Sequence, residues 1–250
     1  MEFQNPLSGA RGGNIIITGA SRGLGKAIAE KFAANGYHLY LASRNAVALY
    51  TAMETLQVKY PDITVKAKAF DLSIKEEAKA FGNWILGLGI SIDVLVNNAG
   101  TFLPGNIYDE EEDTLERMIE TNVYSAYHLT RVLLPKMMGQ DISSGSRGHI
   151  FNMCSIASLK AYANGGSYSI SKFALAGFSK NLREELKSYF IKVTAVYPGA
   201  AYTDSWIGSG VDEKRIMEAQ DIADMVYAAS QLSPQATVED IILRPQLGDI

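Results

Sequence analysis

A tyrosine, a lysine and a serine are spaced in this chain as a proton-transfer site requires. Tyr168 and Lys172 are four residues apart, so on a helix the phenol and the ammonium face the same space. A phenol has an ordinary pKa of about 10, and a nearby cation lowers the pKa of an acid by roughly 1–3 units. Ser155 precedes Tyr168 by thirteen residues and adds a hydroxyl. Together with the signals below, this spacing predicts proton exchange with an alcohol or a carbonyl.

A glycine-rich turn near the N-terminus has the form of a phosphate-binding loop. The apolar, β-branched run 14–17 predicts a buried parallel strand. It leads into TGASRGLG (18–25), where Gly19, Gly23 and Gly25 permit a tight turn and close approach of a pyrophosphate. The N-terminus of the helix that follows offers unpaired N–H groups to phosphates. The spacing is G-x-x-x-G-x-G, which differs from the commoner G-x-G-x-x-G and from a Walker loop.

Strand-like and helix-like segments alternate through the chain. The predicted strands are 14–17, 37–42, 64–70, 92–96, 149–154, 192–197 and 238–243. The predicted helices are 26–35, 47–60, 75–88, 115–138, 167–190 and 222–230. This alternation predicts a single α/β domain, with a Rossmann-type, doubly wound parallel sheet and helices on both faces. We expect a flexible arm at 1–13, the domain at 14–250, and a short substrate lid at about 200–219.

Bulk composition excludes several classes of partner. The net charge of the 250-residue chain is −4, and its Lys and Arg residues are scattered, which predicts no nucleic-acid partner. No apolar run is long enough to span a membrane, and residues 1–13 lack the apolar core of a signal peptide. Cys154 is the one cysteine, which excludes a disulfide framework and fits a reducing compartment. We therefore expect a cytoplasmic protein.

No metal site is predicted. The histidines lie far apart in sequence and have no partner at metal-ligand spacing; they are His38, His128 and His149. An acidic run at 109–113 precedes the predicted helix at 115–138, and its charges suit the positive end of that helix dipole better than a metal.

Taken in order, the motifs of this chain resemble those of the short-chain dehydrogenase/reductase family. They are Thr18-Gly19-x-x-x-Gly23-x-Gly25, Asp71, Asn97-Asn98-Ala99-Gly100, Asn122, Ser155, Tyr168 with Lys172, and Pro198-Gly199. The resemblance covers nearly the whole chain. It implies an oxidoreductase in which a nicotinamide cofactor carries the hydride, while the protein supplies orientation and electrostatics.

The resemblance also implies a role for each of four catalytic residues. Tyr168 would be the general acid and base, donating its proton to a carbonyl oxygen during reduction. Lys172 would lower the pKa of Tyr168 and bind the nicotinamide ribose. Ser155 would hold the substrate oxygen about 3 Å from the phenol. Asn122 would interrupt its helix and hold a water that links Lys172 to solvent.

The second predicted strand favours NADP(H) over NAD as the cofactor. An NAD site normally has Asp or Glu at the end of that strand, where it binds the ribose 2′-hydroxyl. This chain has Ser43 there, followed by Arg44, and Arg22 lies within the glycine loop. Two guanidinium groups suit a 2′-phosphate. Further cofactor contacts are expected, by resemblance, at Gly19, Ser21, Gly23, Leu24, Gly25, Asp71, Leu72, Asn98, Ala99, Gly100, Tyr168, Lys172, Pro198, Gly199, Ala201 and Thr203.

The substrate is predicted only as a small carbonyl compound or its alcohol. Phe102, Leu159, Tyr162, Trp206 and Ile207 are candidate walls of an apolar pocket, which favours an aliphatic or aromatic ketone.

Two alternatives stay open beside an NADP(H)-dependent carbonyl reductase. One is a 3-oxoacyl-carrier-protein reductase of fatty-acid synthesis, which the loop 19–22 suits, although the C-terminal residues 242–249 lack the Gly-Gly ending common in that group. The other is a dinucleotide-binding regulator without turnover. By resemblance we also expect a homodimer or homotetramer, formed through the helices that carry Asn122 and Tyr168.

Overall fold

The computed structural model describes residues 12–206, 208 and 210–249. The strands are β1 Asn14–Thr18, β2 His38–Ser43, β3 Val65–Ala69, β4 Val94–Asn97, β5 Gly148–Met153, β6 Ile191–Pro198, β7 Ala201–Tyr202, β8 Met217–Glu218 and β9 Asp240–Leu243. The helices are α1 Gly23–Ala34, α2 Ala46–Lys59, α3 Lys75–Gly87, α4 Thr114–Ile119, α5 Ser125–Met138, α6 Gly166–Leu186 and α7 Ala219–Ser230. Among these residues, no helix is both long and apolar enough to cross a bilayer.

Seven strands form one parallel sheet in the order β3-β2-β1-β4-β5-β6-β9. Alternate side chains of β1 enter two different cores, because successive residues of a strand point to opposite faces. Ile15 and Ile17 pack in a core that contains Phe32 of α1. Ile16 packs in a core that contains Phe81 of α3 and Leu129 of α5. The predicted parallel sheet with helices on both faces is therefore confirmed.

The structure agrees with the expected interruption at Asn122 and differs from the sequence expectation in other details. The predicted helix 115–138 is broken by a π-helical turn, Glu120–Tyr124, which separates α4 from α5. Two short strands, β7 and β8, pair within the segment expected to be a lid, and the expectation contains neither. The helix expected at 222–230 begins three residues earlier, as α7.

Most of the expected N-terminal arm lies outside the described residues. The two glycines that are described lie against β2 and the turn before it. A Cβ atom on Gly12 would lie 2.2 Å from the Gly36 carbonyl oxygen, and His38 N donates a hydrogen bond of 3.0 Å to the Gly13 carbonyl.

The carboxyl ends of the strands bring the sequence motifs to one edge of the sheet. From β1 the chain proceeds outward through β2 to β3, and then returns to β4 on the other side of β1. Such a switch point leaves a crevice at the carboxyl ends of the two central strands, where ligands bind in open α/β sheets. The glycine loop follows β1, Ser43 ends β2, Asn97 ends β4 and Ser155 follows β5.

Candidate active site

The glycine loop has the backbone shape that its sequence predicted. Gly19 and Gly23 have φ angles of 63° and 54°, in the left-handed region that favours glycine. Helix α1 begins at Gly23, and no side chain caps its N-terminus among the described residues. A Cβ atom on Gly25 would lie 2.3 Å from the Gly19 carbonyl oxygen. The loop thus presents backbone N–H groups at close approach, which fits a pyrophosphate.

Thr18 fixes the chain after β4 against the glycine loop. Its hydroxyl oxygen accepts hydrogen bonds of 2.9 Å from both Asn98 N and Ala99 N. The Asn98 carboxamide donates to the Thr18 and Gly19 carbonyl oxygens at 2.9 and 3.1 Å. The Asn98 side chain therefore links the loop after β4 to the glycine loop. The sequence analysis named Thr18 as the first residue of the glycine motif but gave it no role; its place at the end of a strand that leads into the loop is the signal for this one.

A pair of hydroxyl groups and an arginine lie at the carboxyl end of β2. Ser21 and Ser43 are joined by a hydrogen bond of 2.8 Å between their Oγ atoms. Arg44 is exposed over 77% of its side chain and lies 3.6 Å from an Asp71 carboxylate oxygen. Burial alone would raise the pKa of Asp71, but hydrogen bonds from Ser73 and the Arg44 charge lower it overall. Both serines and Arg44 are thus placed together, as a 2′-phosphate site requires.

Arg22 is less closely tied to this group than expected. It precedes α1 and is exposed, and its side chain makes no hydrogen bond or ion pair with the described residues. Leu24 and Leu72 were also expected to contact the cofactor, but their side chains pack with the two hydrophobic cores. Their contribution to a nucleotide site would come from backbone groups.

Tyr168 and Ser155 lie side by side, although one is on a helix and the other follows a strand. Tyr168 is in the first turn of α6, and Ser155 is 8% exposed. Burial raises the pKa of the Tyr168 phenol, and a hydrogen bond with the Ser155 side chain opposes that rise. The net direction is upward because desolvation of the phenolate outweighs the other influences, and the lowering of the Tyr168 pKa by Lys172 stays a prediction.

Lys172 is held by a backbone carbonyl. Its Nζ donates a hydrogen bond of 2.8 Å to Met153 O and lies 5.7 Å from the centroid of the Tyr168 ring. Lys172 is 6% exposed, and burial lowers its pKa to about 8. A Cβ atom on Gly100 would lie 3.5 Å from this Nζ. Lys172 is thus cationic at neutral pH and borders the crevice beside Gly100.

Asn122 lies in the π-helical turn, where the resemblance implied an interrupted helix. It is 1% exposed. Its Oδ1 accepts a hydrogen bond of 2.7 Å from Thr101 N, and its Nδ2 donates to Thr101 O at 3.0 Å and to Ser171 Oγ at 2.9 Å. The carboxamide thus joins the loop after β4 to α6. The sequence analysis missed Thr101 and Ser171, which are adjacent to the Gly100 and Lys172 that it did select.

Exposed aromatic and apolar side chains lie near Tyr168. The ring of Phe102 makes an edge-on contact with the Tyr168 ring at 4.9 Å between centroids. Phe102, Leu159 and Tyr162 are 50%, 42% and 46% exposed, so they offer apolar surface to a ligand. Trp206 is half-buried in a short 3₁₀ turn, and Ile207 lies outside the described residues.

The segment after β6 closes the other side of the glycine loop. Gly199 N donates a hydrogen bond of 2.7 Å to Leu243 O, which fixes the chain after Pro198. Ala201 is buried and pairs with Met217 across β7 and β8. A Cβ atom on Gly23 would lie 3.4 Å from Thr203 Cγ2. Of the residues predicted in this segment, Thr203 therefore lies beside the glycine loop.

The sheet order and the crevice define a Rossmann-type α/β protein, in which Tyr168 and Lys172 lie close together. The family model described as short chain dehydrogenase matches residues 13–213, and the chain belongs to this family. It is an oxidoreductase of that family. A sepiapterin reductase of Chlorobaculum tepidum is 33% identical over 245 residues, which cover 94% of this chain and 97% of the relative.

Similar solved structures include complexes with phosphorylated nicotinamide dinucleotides. L-sorbose reductase from Gluconobacter frateurii, complexed with NADPH and L-sorbose, has a TM-score of 0.84 at 28% identity, covering 94% of this chain and 96% of that one. A metagenomic short-chain oxidoreductase in complex with NADP has a TM-score of 0.79 at 29% identity, covering 94% and 97%.

Proposed function

We propose that this protein is an NADP(H)-dependent reductase that converts a ketone or other carbonyl compound into an alcohol. The observation that carries the proposal is the position of Tyr168, which lies beside both Ser155 and the Lys172 ammonium at the crevice. A dinucleotide-binding regulator has no need of an acid, a hydroxyl and a buried cation at one point. The proton-transfer groups therefore favour turnover over a purely regulatory role.

The proposed reaction divides the work between protein and cofactor. The glycine loop and the end of β2 would hold NADPH, whose chemistry would be hydride transfer to the carbonyl carbon. Tyr168 donates its phenolic proton to the carbonyl oxygen, so the product is an alcohol and the tyrosine becomes a phenolate. The raised pKa of Tyr168 keeps the phenol protonated until that step. Lys172 carries its charge at neutral pH, which limits the cost of forming the phenolate. The Ser155 hydroxyl orients the substrate oxygen.

The choice of NADP(H) is based on the end of β2. Ser43 leaves no carboxylate to repel a 2′-phosphate, and its hydroxyl is joined to that of Ser21. Arg44 is close by and exposed to solvent, so it can rotate to a phosphate without leaving a buried partner unsatisfied. A guanidinium binds phosphate by charge-assisted hydrogen bonds. The similar structures that contain NADP or NADPH support this choice.

The apolar walls favour a ketone with an aliphatic or aromatic body. Phe102, Leu159 and Tyr162 carry no formal charge at neutral pH, and each exposes a large part of its side chain. Self-association through the helices that carry Asn122 and Tyr168, the extent of the lid, and a cytoplasmic location remain predictions.

The test is a parallel titration with NADPH and NADH, followed by NADPH oxidation with a panel of ketones. The panel contains aliphatic ketones, aromatic ketones and an acetoacetyl thioester. We expect tighter binding of NADPH than of NADH and turnover of the simple ketones. If only the thioester is turned over, the protein is instead a 3-oxoacyl thioester reductase. If neither nucleotide binds, the proposed function is wrong.

A further inference from the structure

Glu110 is the one residue of the acidic run 109–113 whose side chain turns inward. The residues on both sides of it are exposed, whereas Glu110 is half-buried. Its carboxylate reaches the N-terminus of α6 rather than that of α4, the helix that follows the run in sequence. Ser167 Oγ donates a hydrogen bond to Glu110 Oε1, and Ser167 N donates one of 3.3 Å to Oε2. Ser167 directly precedes Tyr168 and is 1% exposed.

A tight turn directs Glu110 toward that helix. Asn106 O accepts hydrogen bonds from Asp109 N at 3.0 Å and from Glu110 N at 2.9 Å. Asn106 Oδ1 accepts a hydrogen bond of 3.1 Å from Asn164 N, just before α6. The turn is therefore attached to α6 by both its first and its last residue.

Glycines allow the two chain segments to approach each other closely. Gly105 N donates a hydrogen bond of 3.1 Å to Asn164 O. A Cβ atom on Gly166 would lie 2.8 Å from Gly105 O and 3.0 Å from Glu110 Oε2. A pocket of about 470 Å³ opens beside this contact, lined by residues of 103–117 and by Asn164. Hydrogen bonds at Gly105, Asn106 and Glu110 thus hold this part of the loop to the N-terminal end of α6.

The same loop contacts the catalytic residues at its other end. Thr101 is hydrogen-bonded to Asn122 through both its N–H and its carbonyl. Phe102 makes its edge-on contact with the Tyr168 ring. The first residue of the segment 101–110 therefore contacts Asn122, and the second contacts the Tyr168 ring. The last contacts the residue before Tyr168.

We propose that Glu110 is a positioning residue for the reaction, which fixes the first turn of α6 through Ser167 and so places the Tyr168 phenol. This inference rests on the proposed function. A carboxylate suits the position, because it accepts both hydrogen bonds and its charge is favourable at a helix N-terminus. Glu110 itself touches none of the reacting atoms, and acts on the geometry alone.

The first test compares Glu110→Ala with Glu110→Gln and with Glu112→Ala as the matched control. Glu112 is exposed, and its side chain makes no hydrogen bond or ion pair with the described residues. With the ketone that the wild type reduces fastest, we expect kcat of Glu110→Ala to fall by about 10–100-fold, the cost of small misplacements of a catalytic group. The Kd for NADPH should change less than twofold. Glu110→Gln retains an acceptor oxygen and should recover most of the lost kcat.

A double-mutant cycle identifies the route through Ser167. Ser167→Ala removes the hydroxyl donor, so the double variant with Glu110→Ala should lose little more than Glu110→Ala alone. If the reductions in kcat caused by the two single substitutions instead multiply in the double variant, the proposal is wrong. A wild-type kcat in Glu110→Ala would also overturn it, as would a loss that Glu110→Gln fails to recover while the Kd for NADPH weakens in parallel.

Amide hydrogen exchange in the first turn of α6 tests the same contact without turnover. Exchange there should accelerate in Glu110→Ala and stay unchanged in Glu112→Ala; equal protection in both variants would overturn the proposal. A wild type that reduces none of the ketones would defeat the proposed function, whereas an active wild type with an equally active Glu110→Ala defeats only this inference.

Discussion

The two ends of the crevice hold their cations in opposite ways. At the nucleotide end, the Arg44 side chain is 77% exposed and has one carboxylate oxygen at 3.6 Å. At the proton-transfer end, Lys172 is 6% exposed and bonded to the Met153 carbonyl at 2.8 Å. An exposed ion pair of this kind contributes little to stability. A buried ammonium, in contrast, needs fixed partners because desolvation disfavours its charge.

This difference separates two kinds of work. A cation that recognises the cofactor is best exposed to solvent, because it can then readily exchange its present partner for a phosphate. A catalytic cation must already be in place when charge develops on the reacting groups. We therefore expect substitutions at the nucleotide end to change which cofactor is used, and substitutions at the proton-transfer end to change whether the reaction occurs.

The largest expected effect follows from Tyr168→Phe, which removes the acid and keeps the ring against Phe102. We expect kcat for ketone reduction to fall by about 10²–10⁴-fold, because general-acid catalysis contributes on that scale. The Kd for NADPH, measured by fluorescence titration, should be nearly unchanged. Tyr189→Phe removes an exposed hydroxyl in the turn after α6 and serves as the control that keeps its activity. A Tyr168→Phe enzyme with wild-type kcat would contradict the proposed mechanism.

An intermediate effect is expected from Arg44→Asp at the nucleotide end. The new carboxylate would repel a 2′-phosphate and could accept a hydrogen bond from a ribose 2′-hydroxyl. We expect the ratio of kcat/KM for NADPH to that for NADH to fall by about tenfold or more, since a charge-assisted hydrogen bond contributes roughly 1.5–3 kcal/mol. Lys79→Asp makes the same charge change on the exposed face of α3 and should leave the ratio unaltered. A constant ratio in both variants would exclude Arg44 as the selecting residue.

The smallest expected effect is the pH dependence of stability that Lys172 confers. Its pKa of about 8 in the folded chain lies below its ordinary value of 10.5. Between these values the unfolded chain binds the proton and the folded chain does not, so stability rises with pH. From pH 8 to pH 9, the free energy of unfolding of the wild type should increase by about 1 kcal/mol relative to Lys172→Met. Urea titrations at both pH values measure these free energies of unfolding. If they change equally in the two proteins, the pKa of Lys172 lies outside this pH range.

Features encoded over short distances could be predicted from the sequence. The glycine loop, the Ser43–Arg44 ending of β2 and the i, i+4 pair on α6 each depend on a few adjacent residues. The parallel sheet with helices on both faces follows from the alternation of strands and helices together with the rules of their connection. These predictions agree with the sheet and with the turn geometry at Gly19 and Gly23.

Contacts between distant segments could not be predicted in the same way. The carbonyl that binds Lys172 belongs to Met153, whose side chain gives no indication of it. In sequence, Glu110 belongs to the acidic run that precedes α4. The turn at Asn106 instead brings its carboxylate to the N-terminus of α6. The pKa of Tyr168 depends on how much solvent the folded chain excludes. The spacing to Lys172 alone therefore could not give the net direction of that pKa shift.

The π-helical turn at Asn122 also sets the angular phase of a long helical segment. Met118 and Met137 are both fully buried, and they are nineteen positions apart. At about 100° per residue, nineteen α-helical steps would leave these side chains roughly 100° out of phase. The π turn absorbs about one surplus residue, which brings the two positions back into phase after about five turns. The π-helical turn that places Asn122 beside Thr101 therefore also sets the angular phase between α4 and α5.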